Sequence, residues 1–330
     1  MDVLCVGMYR ACSTWQYDVA AEIVERHRGG QRLGYLTGEE YAALVRREPR
    51  SDTWRILKSH EEHPEFTRAL RRGEAVALYA HRDVRDVVYS MLHKRRVDFE
   101  TFLKQGMIHQ ILENDRYWTS RPHLLVQTYQ PLMTDPVSGV LEIARFLDIT
   151  LKPSEAESIA GHYSLEANRD RARRMAQELE TRGLDLNDRS NAQLWDQATL
   201  LHWNHIRSGR VGEWQEHADD RQRRILLRLL NRWLTHHAYE PDRRPNGYRL
   251  RVSDERAMLR GWIACQLRCL ALRHPRLAHG IKTLLGLTKG GSGAPGKPVQ
   301  TGSGHPHRQE PHVAVGAGAN HVTEPPRQTG

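Results

Sequence analysis

The first twenty-six residues constrain this chain more than any other stretch. Val3-Leu4-Cys5-Val6 is a short run of apolar, β-prone residues closed by Gly7. Met8 to Cys12 forms a brief connector, after which Trp15, Val19, Ile23 and Val24 recur at helical spacing. Ser13 and Thr14 are good N-cap residues, so the pattern predicts a strand, a tight turn and a helix capped at these hydroxyls. A helix start presents unpaired backbone N–H groups and the positive end of its dipole, which suits a bound phosphate. Arg10 and the two hydroxyls add donors at the same spot. Many α/β proteins open this way with the arginine merely solvated, and the loop residues alone leave both readings open.

Later apolar runs predict further strands at Trp54–Leu57, Ala75–Tyr79 and Leu124–Val126. Helices are predicted over Glu39–Arg47, Glu65–Arg72, a segment capped by Asp83, Val137–Leu147 and Asp219–His237. Asp98 to Trp118 reads as one long helix with Phe99, Phe102, Leu103, Met107, Ile111 and Leu112 inward. The net charge is +9, yet residues 242–330 hold 14 basic and 5 acidic side chains, leaving 35 of each in 1–241. The body is therefore neutral, which argues against a general nucleic-acid-binding surface there. Cysteines at 5, 12, 265 and 269 follow neither a metal-ligand pattern nor a secreted disulfide framework. Cys5 reads as a buried strand residue, and Cys265 and Cys269 as sharers of one helix face. With no charged leader ahead of the first strand and no run as long as a membrane span, a cytoplasmic location is expected.

The connector lacks the Gly-Lys-Ser/Thr ending of a nucleotide triphosphatase loop. Tyr9-Arg10-Ala11-Cys12-Ser13-Thr14-Trp15 instead resembles the 5′-phosphosulfate loop, Pro-Lys/Arg-Ser-Gly-Thr/Ser-Thr-Trp, of sulfotransferases that use 3′-phosphoadenosine 5′-phosphosulfate (PAPS). Tyr9, Ala11 and Cys12 stand where Pro, Ser and Gly are usual. Arg55-Ile56-Leu57-Lys58-Ser59-His60 resembles the family's Lys-Thr-His segment, which implies His60 as general base and Lys58 as a contact of the transferring sulfuryl group. Arg82-Asp83-Val84-Arg85-Asp86-Val87, followed by Ser90, resembles the 3′-phosphate signature with Val84 in place of Pro. Arg82 and Ser90 match the residues that hold the 3′-phosphate, a group absent from ATP. Tyr129 to Pro136 is similar to a segment whose tyrosine lies near the adenine, although Gln130 and Pro131 replace two acids. Arg207-Ser208-Gly209-Arg210-Val211-Gly212-Glu213-Trp214 resembles the family's Arg-Lys-Gly-x-x-Gly-x-Trp lid over that phosphate, with Ser208 in place of Lys.

The resemblance implies a three-layer α/β fold with a central parallel sheet flanked by helices, spanning residues 1–241. Residues 242–288 are expected to form a basic helical extension, split at Pro275, that packs on the body or offers weak contact to a membrane surface or partner through 253–287. Residues 289–330, rich in Gly, Pro, His and Gln, are expected to be disordered. Arg169, Arg171, Arg173 and Arg174 read as a solvated helix face. The implied catalytic set is His60, Lys58 and Arg10. The implied co-substrate contacts are Arg10, Ala11, Cys12, Ser13, Thr14, Trp15, Arg82, Ser90, Tyr129, Arg207, Ser208 and Gly209. No metal is expected, since the cationic set can do a metal's work on the departing phosphate. Besides a sulfuryl transfer to a small-molecule or glycan acceptor, a non-catalytic binder of adenosine 3′,5′-bisphosphate (PAP) or of a partner, and a nucleotide kinase, stay as alternatives. Cys12, at a helix start near Arg10, is a candidate for a thiol of lowered pKa.

Overall fold

Val3 to Val6 of the first strand are all apolar, so both faces of the sheet that contains it must be covered. The structure, a computed structural model, describes residues 1–48, 52–186, 196, 198–204, 206, 208–242 and 247–273. In order the chain forms β1 (Asp2–Gly7), α1 (Ser13–Arg28), β2 (Gln31–Tyr35), α2 (Gly38–Arg47), β3 (Arg55–Ser59), α3 (Pro64–Arg71) and β4 (Ala75–His81). Helices α4 (Val84–Arg95), α5 (Phe99–Lys104) and α6 (Met107–Thr119) precede β5 (Leu124–Thr128), which runs into α7 (Tyr129–Thr134) and α8 (Pro136–Phe146). Then come α9 (Pro153–His162), α10 (Leu165–Thr181), α11 (Trp214–His217), α12 (Asp220–His236) and α13 (Val252–Arg273). The strands pair in the order β2-β3-β1-β4-β5, and every pairing is parallel.

Alternation along β1 divides the core. Val3 and Cys5 join α1, α8 and α9 in one apolar cluster. Leu4 and Val6 join α3, α4, α6 and α12 in the other. The result is a sheet between two helical layers. Since β1 lies between β3 and β4, the connections diverge to either side of it, which opens a crevice at the carboxyl ends of these strands. At the opposite edge Arg55 grips Asp2 through two bonds of 2.8 Å, and Tyr41 donates to the same carboxylate at 2.8 Å. Asp2 and Arg55 are register partners on β1 and β3, so this bidentate pair pins the central ladder. Among the described residues no helix is long and apolar enough to cross a membrane.

Two expectations are corrected and one element is added. Gln31–Tyr35 is a strand that no apolar run predicts, because its half-exposed edge position asks for none. The first helix is capped by Cys12 in the left-handed region (φ 71°), leaving Ser13 and Thr14 as its first two helical residues. The long helix over 98–118 is two helices, broken where Gly106 takes φ 69°. The cause of that break lies far along the chain. A Cβ on Gly106 would sit 2.1 Å from the carbonyl oxygen of Gly261, and one on Gly261 would sit 2.2 Å from that of Leu103. Helix α13 thus crosses α5 and α6 with backbone nearly against backbone, burying Ala257, Met258, Cys265 and Cys269. Its other face leaves Leu259, Trp262 and Ile263 exposed. The split at Pro275 and the tail lie outside the described residues.

Gly261→Val should therefore cost about 1–3 kcal/mol or more in urea unfolding, because carbonyl groups cannot yield as a flexible side chain can. Gly161→Ala is the control, since a Cβ there meets nothing within 4 Å. That variant should be neutral or up to about 1 kcal/mol more stable.

Candidate active site

The turn after β1 is held by contact on both sides. Met8 N donates to Ala80 O at 2.9 Å, and a Cβ on Gly7 would lie 2.9 Å from Ser13 Cβ. Arg10 (φ 63°) and Cys12 (φ 71°) both adopt left-handed backbone. Non-glycine residues pay roughly 1–2 kcal/mol for that conformation, a strain that collects at ligand-binding loops. Cys12 takes up the backbone shape that a glycine would adopt without strain. Helix α1 has no acidic residue in its first turn and no side-chain cap, so its positive end is not neutralised from within.

Strand β3 delivers the next groups to the same edge. Lys58 is buried opposite Cys5 in the ladder, and its Nζ donates to Thr14 Oγ1 at 2.6 Å. Burial pushes this ammonium down to about 8. His60 Nδ1 lies 2.8 Å from Gly7 O, and since a carbonyl can only accept, Nδ1 carries the proton. That bond leaves Nε2 as the nitrogen able to take a proton. Burial, with the Lys58 charge, drives the imidazole down to about 3, so His60 is neutral throughout the physiological range. Its ring sits 4.7 Å from that of Tyr9.

The third group forms at the end of β4. Arg82 donates to Arg10 O at 3.1 Å and to Arg210 O at 2.8 Å, pairs with Asp86 at 3.4 Å, and lies 4.1 Å over the Tyr129 ring. Tyr129 OH in turn donates to Gly209 O at 3.1 Å. Arg10 Nε donates to Ser90 Oγ at 2.9 Å, joining the loop after β1 to helix α4. Asp86, a member of the Arg82–Val87 motif to which the sequence assigns no role, accepts from Gly212 N at 2.8 Å and Trp214 N at 3.2 Å. This holds the 208–214 loop over the start of α4. Ser208 donates to Glu213 at 2.6 Å, and its carbonyl accepts from Arg169. Arg169 and Arg171 are thus half-buried and engaged, while Arg173 and Arg174 are exposed; the solvated-face reading holds only for the latter two. Arg207 lies outside the described residues.

All the other sequence-predicted site residues line one cavity of about 900 Å3: Arg10 to Trp15, Lys58, His60, Arg82, Ser90, Tyr129, Ser208 and Gly209. Tyr9, the first residue of the phosphosulfate-loop motif, lines it too, as do Tyr35, Lys94, Arg95, Arg96 and His202, to which no motif points. Asp18 also faces it, buried and 3.3 Å from Arg32, one helical turn beyond Thr14; the helical spacing was the available signal. The cavity suits a polyanion. Among the described residues Arg82 Nε is buried without a hydrogen-bond partner, beside cationic side chains and unneutralised helix-start amides. The expected acidity of Cys12 is overturned: burial outweighs Arg82 and Arg10 and pushes its thiol up to about 12. Next to the cavity, His81, Asp115 and His237 bring ligand-type atoms within 4.8 Å of one another. The two imidazoles lie face to face, 4.4 Å apart at 29°, so their in-plane lone pairs do not converge on one ion. Asp115 accepts from Tyr79 and Trp233, each at 2.8 Å, as the centre of a hydrogen-bonded brace.

The model of the sulfotransferase domain matches residues 2–236. The luciferin sulfotransferase of Photinus pyralis is 26% identical over 129 residues, which are 34% of this chain and 35% of that protein. The match thus spans about a third of that curated relative's length. Similar solved structures include retinol dehydratase in complex with retinol and PAP, with TM-score 0.49 and 17% identity over 76% of this chain and 83% of that one. Another is the mouse sulfotransferase SULT7A1 complexed with PAP, with TM-score 0.48 and 18% identity over 71% of this chain and 84% of that one. With the domain match running from the first strand to the end of α12, the chain belongs to the sulfotransferase family.

Proposed function

We propose that the chain transfers a sulfuryl group from PAPS to a hydroxyl or amine of a small-molecule acceptor. The observation that carries this reading is the one cavity in which the α1 start, Lys58, His60 and the Arg82–Ser90 pair face common space. PAPS, when bound, supplies an activated sulfuryl group on a phosphate leaving group. The α1 amides, Lys58 and the Thr14 hydroxyl stabilise the negative charge that grows on the departing phosphate oxygen. Arg82 and Ser90, with Arg10 beside them, offer a guanidinium fork and a hydroxyl to the 3′-phosphate. Trp15 and Tyr129 flank the adenine, and the Ser208–Gly209 loop covers the phosphate. His60 Nε2 takes the acceptor's proton as the new bond to sulfur forms and the bond from sulfur to the phosphate oxygen breaks.

His60→Ala should lower kcat by about 10²–10⁴ while PAP affinity measured by calorimetry stays nearly unchanged. Arg82→Ala should weaken PAP binding by about 10–100-fold, the worth of a charge-assisted bond. Tight PAP binding without labelled-sulfate transfer to any acceptor in a lysate would instead favour a non-catalytic binder. An NMR titration of the ligand-free protein should find no protonation of His60 between pH 8 and pH 5, given its folded value of about 3. An unperturbed imidazole would titrate around 6.5, so below that pH the unfolded chain binds the extra proton. Stability should accordingly fall as the pH drops from about 6.5 toward 3, and less steeply in a His60→Gln variant.

A further inference from the structure

Helix α13 carries apolar residues on two opposite sides, and the body covers only one of them. Met258, Cys265 and Cys269 are buried on the side of the close Gly106–Gly261 crossing, against α5 and α6. Val252, Leu259, Ile263 and Leu270 fall within about 40° of one line along the other side, at 3.6 residues per turn. Each of these four is between 40% and 68% exposed. The stripe they form is about 27 Å long, at 1.5 Å per residue. Trp262, also exposed, borders it on one flank. Arg256 and Arg260, exposed as well, border it on the other.

A helix that is apolar all round is ordinarily covered all round, so an open flank of this length marks a contact surface. Charge separates the candidates for what it meets. Among the described residues neither Arg256 nor Arg260 takes part in an ion pair. Glu255, in the first turn on the Trp262 flank, is the last acidic residue before Glu310. The 54 residues from Arg256 to Gln309 hold nine Lys and Arg and no Asp or Glu. A second copy of the chain, or the chain's own following segment, would therefore set cations against cations. A nucleic acid would satisfy the charge but leave the aliphatic stripe idle, since its binding surfaces pair cations with aromatic stacking platforms. An anionic lipid surface answers both features. Acyl chains take up the aliphatic side chains, headgroups take up the guanidinium groups, and an indole sits at the boundary between them.

We propose that α13 lays its Val252–Leu270 flank on an anionic lipid bilayer, with Leu259 and Ile263 at the acyl boundary and Arg256 and Arg260 among the headgroups. The helix keeps its opposite side packed on α5 and α6 and lies in the plane of the surface. It does not span the bilayer, being neither long nor apolar enough. The contact is independent of the proposed transfer chemistry, because none of its residues lines the cavity.

The test is sedimentation of the full chain with vesicles of phosphatidylcholine alone or of phosphatidylcholine with about one-third phosphatidylserine. The anionic vesicles should bind it about tenfold or more tightly, as two guanidinium groups at such a surface imply, and the advantage should shrink as salt is raised. Arg256→Glu/Arg260→Glu should weaken anionic-vesicle binding by about tenfold or more. Leu259→Ser/Ile263→Ser, which keeps every charge, should weaken it by a similar factor. Thermal unfolding of both variants should match wild type, since all four side chains are exposed. Brominated acyl chains should quench tryptophan emission of the bound wild type and quench it less in Trp262→Phe. That quenching decides the matter if either double variant fails to fold. Binding to neither vesicle, equal binding to both, binding that survives Leu259→Ser/Ile263→Ser, or quenching unchanged in Trp262→Phe would each overturn the proposal. Capture of a DNA duplex without vesicle binding would overturn it as well and reassign the surface to a nucleic acid.

Discussion

Strand β1 can meet helix α1 only because position 7 carries no side chain. A Cβ there would lie 2.9 Å from Ser13 Cβ and 3.0 Å from both the Cβ and the backbone N of Ala80. Strand, neighbouring strand and helix start converge on that point, and the turn has no room to swing outward. The path from Met8 to Cys12 is correspondingly tight, and along it Arg10 and Cys12 adopt left-handed backbone. The same tightness sets the carbonyl of Gly7 against His60 Nδ1 and thereby chooses the tautomer of the proposed base. Backbone crowding at one glycine is transmitted to the protonation chemistry of a side chain on another strand.

Arg82 does for the loops what Gly7 does for the strands. One guanidinium joins the carbonyl of Arg10, the carbonyl of Arg210, the carboxylate of Asp86 and the face of Tyr129. These partners come from four separate stretches of chain. Asp86 balances the charge locally and spends its remaining capacity on the amides of Gly212 and Trp214. The cradle is thus tied together by the chain's own groups, and such internal bracing reduces the ordering that binding requires.

Much of this was legible in the residues. Strands β1, β3, β4 and β5 announced themselves because a parallel strand covered on both faces must be continuously apolar. Strand β2 did not, since an edge strand with half-exposed residues has no such requirement. Asp83 was readable as a cap, and its side chain accepts from Arg85 N at 2.9 Å. The Cys12 cap was not, because a cysteine in left-handed backbone with no side-chain cap bond carries none of the usual N-cap signals. Site residues inside contiguous motifs could be recognised. Arg169 and the Lys94–Arg96 turn could not, because charged residues on a helix look solvated until the fold shows what lies opposite. The acidity expected for Cys12 failed for a related reason: nearby arginines favour a thiolate, but the protein packed around the thiol counts for more.

Helix α13 lies beyond the end of the sulfotransferase domain match at residue 236, yet Ala257 and Met258 belong to the same apolar cluster as Leu4 and Val87. The homologous region and the cooperative unit are therefore different stretches of chain. A truncation at the homology boundary would strip the cover from α5 and α6 and lay bare a greasy flank where Gly106 interrupts the backbone. Such a fragment would keep every residue proposed for catalysis and still be prone to aggregate.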